Sequence, residues 1–143
     1  GAACYPEKHA EALNLTTDIA YLKRKVDAGA DYLVTQMFFD NRKYFRFVEL
    51  CREAGIQVPI IPGLKPITNL KHIAFIPKTF AIDLPEDMAR ELMKCRTDAE
   101  VKEVGVAWSI AQARELMQAG APCLHFYTMG RGEAVQTIAS AIF

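Results

Sequence analysis

Four groups of residues in this chain of 143 residues have types and spacings suited to chemistry. Tyr5, Glu7 and His9 bring an aromatic ring, an acid and an imidazole close together, enough to bind a cofactor or move a proton; a loop with a surface histidine is the plainer reading. Lys23, Arg24 and Lys25 are consecutive cations able to take phosphate. On a helix they point in different directions, so at most one or two would reach a ligand and a solvated face is the default. Gln36 is an uncharged amide inside an apolar run. Its paired donor and acceptor suit the edge of a heterocyclic ring, or else are satisfied by neighbouring backbone. His125-Phe126-Tyr127-Thr128 is followed by Arg131, a permanent cation suited to a carboxylate or a polarised carbonyl, whereas His125 alone reads as a core histidine. Lys65 and Asn69 are further polar groups in a loop, where polarity is ordinary.

The elements that must position these residues follow from a repeat. A helical pattern runs into Ala-Gly and then into a strand pattern at Ala28-Gly29 before Tyr32–Phe39, at Ala54-Gly55 before Val58–Pro62, and at Ala119-Gly120 before Cys123–Thr128. Glycine just past a helix end takes the left-handed conformation that a Cβ resists, so it closes the helix and turns the chain. Recurrent helix–glycine–strand units imply parallel strands wrapped by helices, and in such folds ligands collect at the carboxyl ends of the strands. Those ends read Gln36–Asp40, Pro62–Pro66 and His125–Thr128 with Arg131, so the site is expected along one rim.

Gly1–Tyr5 reads as the tail of a buried strand, broken at Pro6. Thr17 or Asp18 is placed to cap a helix through Ala28, and Asp40 or Asn41 to cap the next. Thr68 or Asn69 starts a short helix that Pro77 should stop. Pro85–Lys94 reads as a helix inserted into the repeat, Thr97 or Asp98 caps a long helix through Gln118, and Glu133–Ile142 is a final helix. Phe38, Phe39, Phe45, Phe47 and Trp108 read as core. The fold class is α/β. Four strand ends with four main following helices make half of a (β/α)8 barrel, which typically needs about 250 residues. An open doubly wound sheet is the alternative; no glycine-rich phosphate loop follows any strand to favour it.

With 51% apolar residues the chain can bury a real core. The 17 basic and 17 acidic residues balance, and no basic block stands out, which argues against nucleic-acid or anionic-membrane partners and for a small-molecule ligand. Cys4, Cys51, Cys95 and Cys123 are widely spaced, so neither a metal site nor a disulfide scaffold is expected and a reducing cytoplasm is the simple location. No apolar run approaches a membrane span.

Several of these segments stand in a fixed order: Tyr5-Pro6-Glu7-Lys8-His9, Leu22–Ala30, Thr35–Asp40, Ile60-Ile61-Pro62-Gly63, and His125–Thr128 with Arg131. Together they resemble the methylenetetrahydrofolate reductases, across nearly the whole chain. The resemblance implies the carboxyl-terminal half of an FAD-binding eight-stranded TIM barrel, one segment over residues 1–143 with the amino-terminal half absent. It implies reduction of 5,10-methylenetetrahydrofolate to 5-methyltetrahydrofolate, with hydride passing from NAD(P)H to FAD to the folate. By matching position, Tyr5, His9, Ala12, Asp18, Tyr21, Arg24 and Lys25 are implied as FAD contacts, and Gln36, His72 and Arg131 as folate contacts. Tyr21 stands where some relatives have asparagine, His72 where a glutamine can contact folate, and Ile76 where an aromatic can stack. The acids that the family uses for protonation belong to the missing half, so no catalytic residue is assigned here and the isolated segment is expected to be inactive. Its expected partners are the folate, the missing half-barrel and further copies of itself. A non-catalytic pterin- or nucleotide-binding half-barrel is the rival reading.

Overall fold

The computed structural model describes residues 1–143. Five short strands and six helices follow one another as β1 (Ala2–Cys4), α1 (Leu15–Asp27), β2 (Leu33–Thr35), α2 (Asn41–Glu53), β3 (Ile60–Ile61), β4 (Gly63–Leu64), α3 (Leu70–Phe80), α4 (Glu86–Lys94), α5 (Asp98–Gln118), β5 (His125–Phe126) and α6 (Glu133–Ile142). Every strand pairing is parallel. β1, β2 and β3 form one ladder, with Ala2 opposite Leu33 and Leu33 opposite Ile60, and β4 pairs with β5, with Gly63 opposite His125. The arrangement is consistent with part of a TIM-barrel-like fold, with the helices following the strands as the repeat implies. Gly29, Gly55 and Gly120 all have φ between +80° and +110°, the left-handed turn that the three Ala-Gly pairs foretold.

The strands are shorter than their apolar runs. β2 stops at Thr35, so Gln36 lies just past the ladder rather than inside it, and Met37, Phe38 and Phe39 are buried by side-chain packing instead. Phe38 stacks on Tyr44 of α2 with ring centroids 5.4 Å apart. β3 ends at Ile61, directly before Pro62-Gly63, but the chain runs on as β4 rather than turning. Pro62 interrupts the run, and because it lacks a donor the chain changes partner there: Ile60-Ile61 pairs with β2 and Gly63-Leu64 with β5. The last strand is likewise only His125-Phe126 of the six residues foreseen.

Two helix boundaries differ as well. α1 starts earlier than Thr17, because the extended Asn14 accepts a hydrogen bond from the Thr17 amide and is the true N-cap. That frees Asp18 for another partner. Pro77 does not stop α3, which continues to Phe80. A proline removes only its own amide bond, while its carbonyl accepts from the amides of Ala81, left-handed at φ +52°, and Ile82.

The core has two parts. Leu33, Phe38, Tyr44, Phe47, Ile60, Leu64 and Leu116 fill the space between the strands and α1, α2 and α5. Met37, Phe39, Ile67, Ile76, Met88, Leu92 and Val101 pack α3 and α4 against α5, so the inserted helix α4 covers a second cluster. α5 comes so close to the segment after β4 that a Cβ on Gly105 would lie 1.8 Å from the Ile67 carbonyl oxygen. Only glycine allows that approach, and it fixes the loop from Lys65 to Asn69. No helix is long and apolar enough to cross a membrane.

Candidate functional site

The residues singled out above fall into four patches, three of them at the carboxyl ends of the strands. In the loop after β1, the rings of Tyr5 and His9 meet edge to face with centroids 4.6 Å apart. The His9 amide donates to Asp18 Oδ2 over 2.8 Å, the partner that Asn14 capping leaves available, so the loop is tied to α1. His9 Nδ1 accepts from the Glu11 amide at 3.2 Å, which makes Nδ1 the unprotonated nitrogen and leaves Nε2 to carry the hydrogen in the neutral ring. Lys8, in the left-handed region at φ +70°, donates from Nζ to the Ala12 carbonyl at 2.9 Å and so folds the loop over itself. Burial, with help from the Asp18 carboxylate, pushes the Tyr5 phenol upward. Glu7 belongs to this loop by sequence but is engaged elsewhere. Its Oε2 accepts from Lys43 Nζ at 2.6 Å and from the Asp83 amide at 3.0 Å, clamping the loop to α2 and to the α3–α4 connection.

The second patch is the last turn of α1. Lys23 forms an ion pair with Asp27, one turn on, whereas Arg24 and Lys25 have no carboxylate partner. The Arg24 guanidinium lies 5.2 Å from the centroid of the Tyr21 ring, a cation–π contact, and Lys25 Nζ reaches the Ala3 carbonyl of β1 at 3.4 Å. Residues Asp18 and Arg24 are separated by about 9 Å along the helix axis. The expected flavin residues therefore fall into a rim group, Tyr5, His9, Ala12 and Asp18, and a distal group, Tyr21, Arg24 and Lys25.

Gln36 is the third patch. It is half-buried, its amide N–H donates to the Cys4 carbonyl just past the ladder, and its Oε1 accepts from the Met37 amide at 3.0 Å. The side-chain NH2 makes no hydrogen bond within the chain, which leaves two donors for a ligand.

The fourth is a cavity of about 320 Å³ between the ends of β4 and β5, lined by Lys65, Thr68, Asn69, His72, Tyr127 and Arg131 among others. His72 sits on the first turn of α3, where Asn69, the N-cap, accepts from its amide at 3.0 Å and brings Nδ2 within 3.1 Å of the ring Nε2. Burial and then the nearby Lys65 hold the imidazole below its ordinary value, so it is neutral at neutral pH. Tyr127 donates its hydroxyl hydrogen to the Thr35 carbonyl at 2.8 Å.

His72 and Arg131 thus share one cavity, while Gln36 and the Tyr5–His9 pair occupy neighbouring strand ends. His125 is exposed, edge-on to Tyr127, and not a core histidine. Ile76 is buried in the second core cluster and takes no part in the cavity. Trp108 is only partly buried and donates from Nε1 to the Phe39 carbonyl at 3.0 Å. Sequence reasoning set Lys65 aside as ordinary loop polarity, yet its residue is 5% exposed. The available signal was its neighbours: Leu64, Pro66 and Ile67 leave a lone lysine in an apolar stretch directly behind a strand.

Residues 1–142 match the family model described as methylenetetrahydrofolate reductase. Over 132 residues the chain is 40% identical to the 5,10-methylenetetrahydrofolate reductase of Escherichia coli (strain K12), an alignment covering 92% of this chain and 45% of that protein. It is 37% identical over 144 residues to a probable methylenetetrahydrofolate reductase (NADPH) of Caenorhabditis elegans, covering 99% of this chain and 22% of the other. The chain therefore spans less than half the length of these curated relatives. Among solved structures, a protein from Clostridium thermocellum described as binding two copies of 5-methyl-5,6,7,8-tetrahydrofolic acid has the same fold. The TM-score is 0.60 over 97% of this chain and 50% of that one, at 19% identity.

Proposed function

The chain belongs to the methylenetetrahydrofolate reductase family, and from that membership we propose that it supplies the carboxyl-terminal half of an FAD-dependent barrel reducing 5,10-methylenetetrahydrofolate to 5-methyltetrahydrofolate with NAD(P)H. The relatives' names support the reaction, and the nicotinamide named for the C. elegans relative supports the hydride donor. The folate described for the Clostridium thermocellum protein supports the ligand class. Parallel strands with unpaired outer edges on β1 and β5 support the reading as half of a barrel.

The residues present fit a flavin dinucleotide. Arg24 and Lys25 are the basic residues of α1 without a carboxylate partner, and phosphate oxygens are the natural complement for such cations. Tyr5 and His9 offer an aromatic pair and an Nε2 hydrogen at the rim, and Asp18 holds their loop in place. When bound, FAD supplies hydride transfer, and the protein contributes binding and orientation. Gln36 carries the folate assignment. Its uncommitted NH2 lies at a strand end, next to an Oε1 already fixed by the Met37 amide, so the side chain is oriented before a ligand arrives. A ring bearing acceptor atoms is what these donors would read. His72, neutral and lodged beside Asn69, and Arg131 lie further along the same rim and complete the substrate side.

The test is anaerobic stopped-flow on the flavin-loaded full-length protein. Mixing with NADH or NADPH should bleach the flavin, and added methylenetetrahydrofolate should restore its colour. A flavin that neither nicotinamide reduces, or that the folate leaves reduced, would overturn the assignment.

A further inference from the structure

Lys65 is the buried cation that the reading above leaves unused. It is 5% exposed, yet its ammonium makes one long hydrogen bond, 3.3 Å to the Pro66 carbonyl, and no carboxylate lies within salt-bridge distance. An ammonium has three donors, and burying it with two unmet is costly unless something else meets them. It lines the same cavity as Arg131, which also lacks a carboxylate partner. The third feature of that wall is the start of α6. Its N-cap is Gly132, with no side-chain cap, so the first amide hydrogens of the helix go unmet where Glu133, Ala134 and Val135 line the cavity. A helix N-terminus and two unpaired cations all favour negative charge. The one carboxylate on the lining, Glu133, is 86% exposed and already bonded to Lys102 at 3.2 Å.

We propose that Lys65, Arg131 and the N-terminus of α6 form an oxyanion subsite that holds the charged end of the bound ligand, a carboxylate or a phosphate. The position agrees, since loops after consecutive strands together with a helix N-terminus make the usual anion site of parallel barrels. The inference rests on the reductase reading, in which folate offers the carboxylates of its glutamyl tail and NAD(P)H offers phosphates. Lys65 is then a specificity residue: its ammonium is lodged where the anion arrives, and the cavity gives it no other partner.

Two matched pairs of probes test this on the flavin-loaded full-length protein. 5-Methyltetrahydrofolate is compared with 5-methyltetrahydropterin, which lacks the glutamyl tail, and NADPH with reduced nicotinamide riboside, which lacks phosphate. Lys65→Met should weaken the charged member of one pair by roughly ten- to hundredfold, the worth of a charge-assisted hydrogen bond, and leave its uncharged counterpart unchanged. Lys65→Arg should retain most of the affinity. A loss confined to the folate pair identifies a carboxylate, and a loss confined to the nicotinamide pair identifies a phosphate. Equal losses within a pair, or none in a folded flavin-loaded variant, would overturn the subsite. Should Lys65→Met fold poorly, Arg131→Gln, at an exposed position, carries the same comparison. A wild-type protein that binds neither organic pair but takes inorganic phosphate in a Lys65-dependent way would remove the folate reading and keep the subsite; one that binds nothing removes both.

Discussion

The Tyr127 hydroxyl donates to the Thr35 carbonyl across 2.8 Å and so joins the two strand ladders, while Thr35 Oγ1 accepts from the Gly63 amide at 2.8 Å between them. One threonine therefore fastens β2 to both β4 and the residue following β5. The approach is tight, since a Cβ on Gly63 would lie 2.3 Å from the Thr35 carbonyl oxygen and 2.7 Å from the Tyr127 ring. Removing only the hydroxyl isolates the bond. Tyr127→Phe should lower stability by about 1 kcal/mol, read as a shift in urea midpoint without a change in slope. An unchanged midpoint would mean that the two ladders hold together without this bond.

The ion pair between Lys23 and Asp27 predicts a split among three adjacent cations. Lys25→Ala should weaken FAD binding by roughly tenfold or more in the full-length protein, as expected for a lost phosphate contact. Lys23→Ala should leave it unaffected. Flavin release on serial dilution, followed by fluorescence, separates the two; equal behaviour of the variants would remove the assignment of α1 to the flavin.

Gln36→Leu keeps approximate bulk and removes both donors. Oxidation of the folate-reducing flavin should slow far more than its reduction by NAD(P)H, because only the former needs the pterin aligned. If both half-reactions slow alike, Gln36 serves the packing around Met37 rather than the substrate.

His72 gives a pH signature. Its folded-state pKa lies below the ordinary 6.5, through burial and the Lys65 charge, with Asp98 acting in the opposite direction and Arg131 adding to the depression. The unfolded chain therefore binds the proton more readily. The neutral ring's contribution to stability is full above pH 6.5 and is lost progressively as pH falls through the folded-state value. His72→Gln should flatten this part of the profile. The check is the wild-type minus variant difference in urea stability across mildly acidic pH, and a difference that does not change with pH would contradict the depressed pKa.

Much of this was legible in the sequence because it depends on local rules. The three Ala-Gly pairs gave the parallel architecture, since positive φ is a property of one residue and needs no distant partner. The rim positions of Gln36 and Arg131 followed from it. Strand lengths did not, because an apolar run such as Met37–Phe39 is equally satisfied by a ladder or by side-chain burial, and tertiary contacts decide. Pro77 misled for a related reason: the cost of one lost amide bond was met by packing of Ile76 and Phe80 that no local pattern reports. Lys65 was missed because burial of a loop residue depends on the α5 approach at Gly105, far away in sequence.

The change of partner at Pro62 also orders events in time. Ala2 meets Leu33, but Gly63 meets His125, a closure spanning twice as many residues, with α3, α4 and α5 in between. Doubling a loop costs only about 0.6 kcal/mol, yet the β4–β5 ladder is two residue pairs long and gains little until those helices are in place. β5 and α6 should therefore dock after the folding barrier and leave before it is recrossed. Tyr127→Phe should accelerate unfolding while the refolding rate stays the same, a φ-value near zero; a slowed refolding limb would place this strand in the nucleus instead. In the native protein, the amides of β5 would exchange with solvent sooner than those of β2, so the wall carrying Arg131 would open and close while the Tyr5–His9 side stays shut.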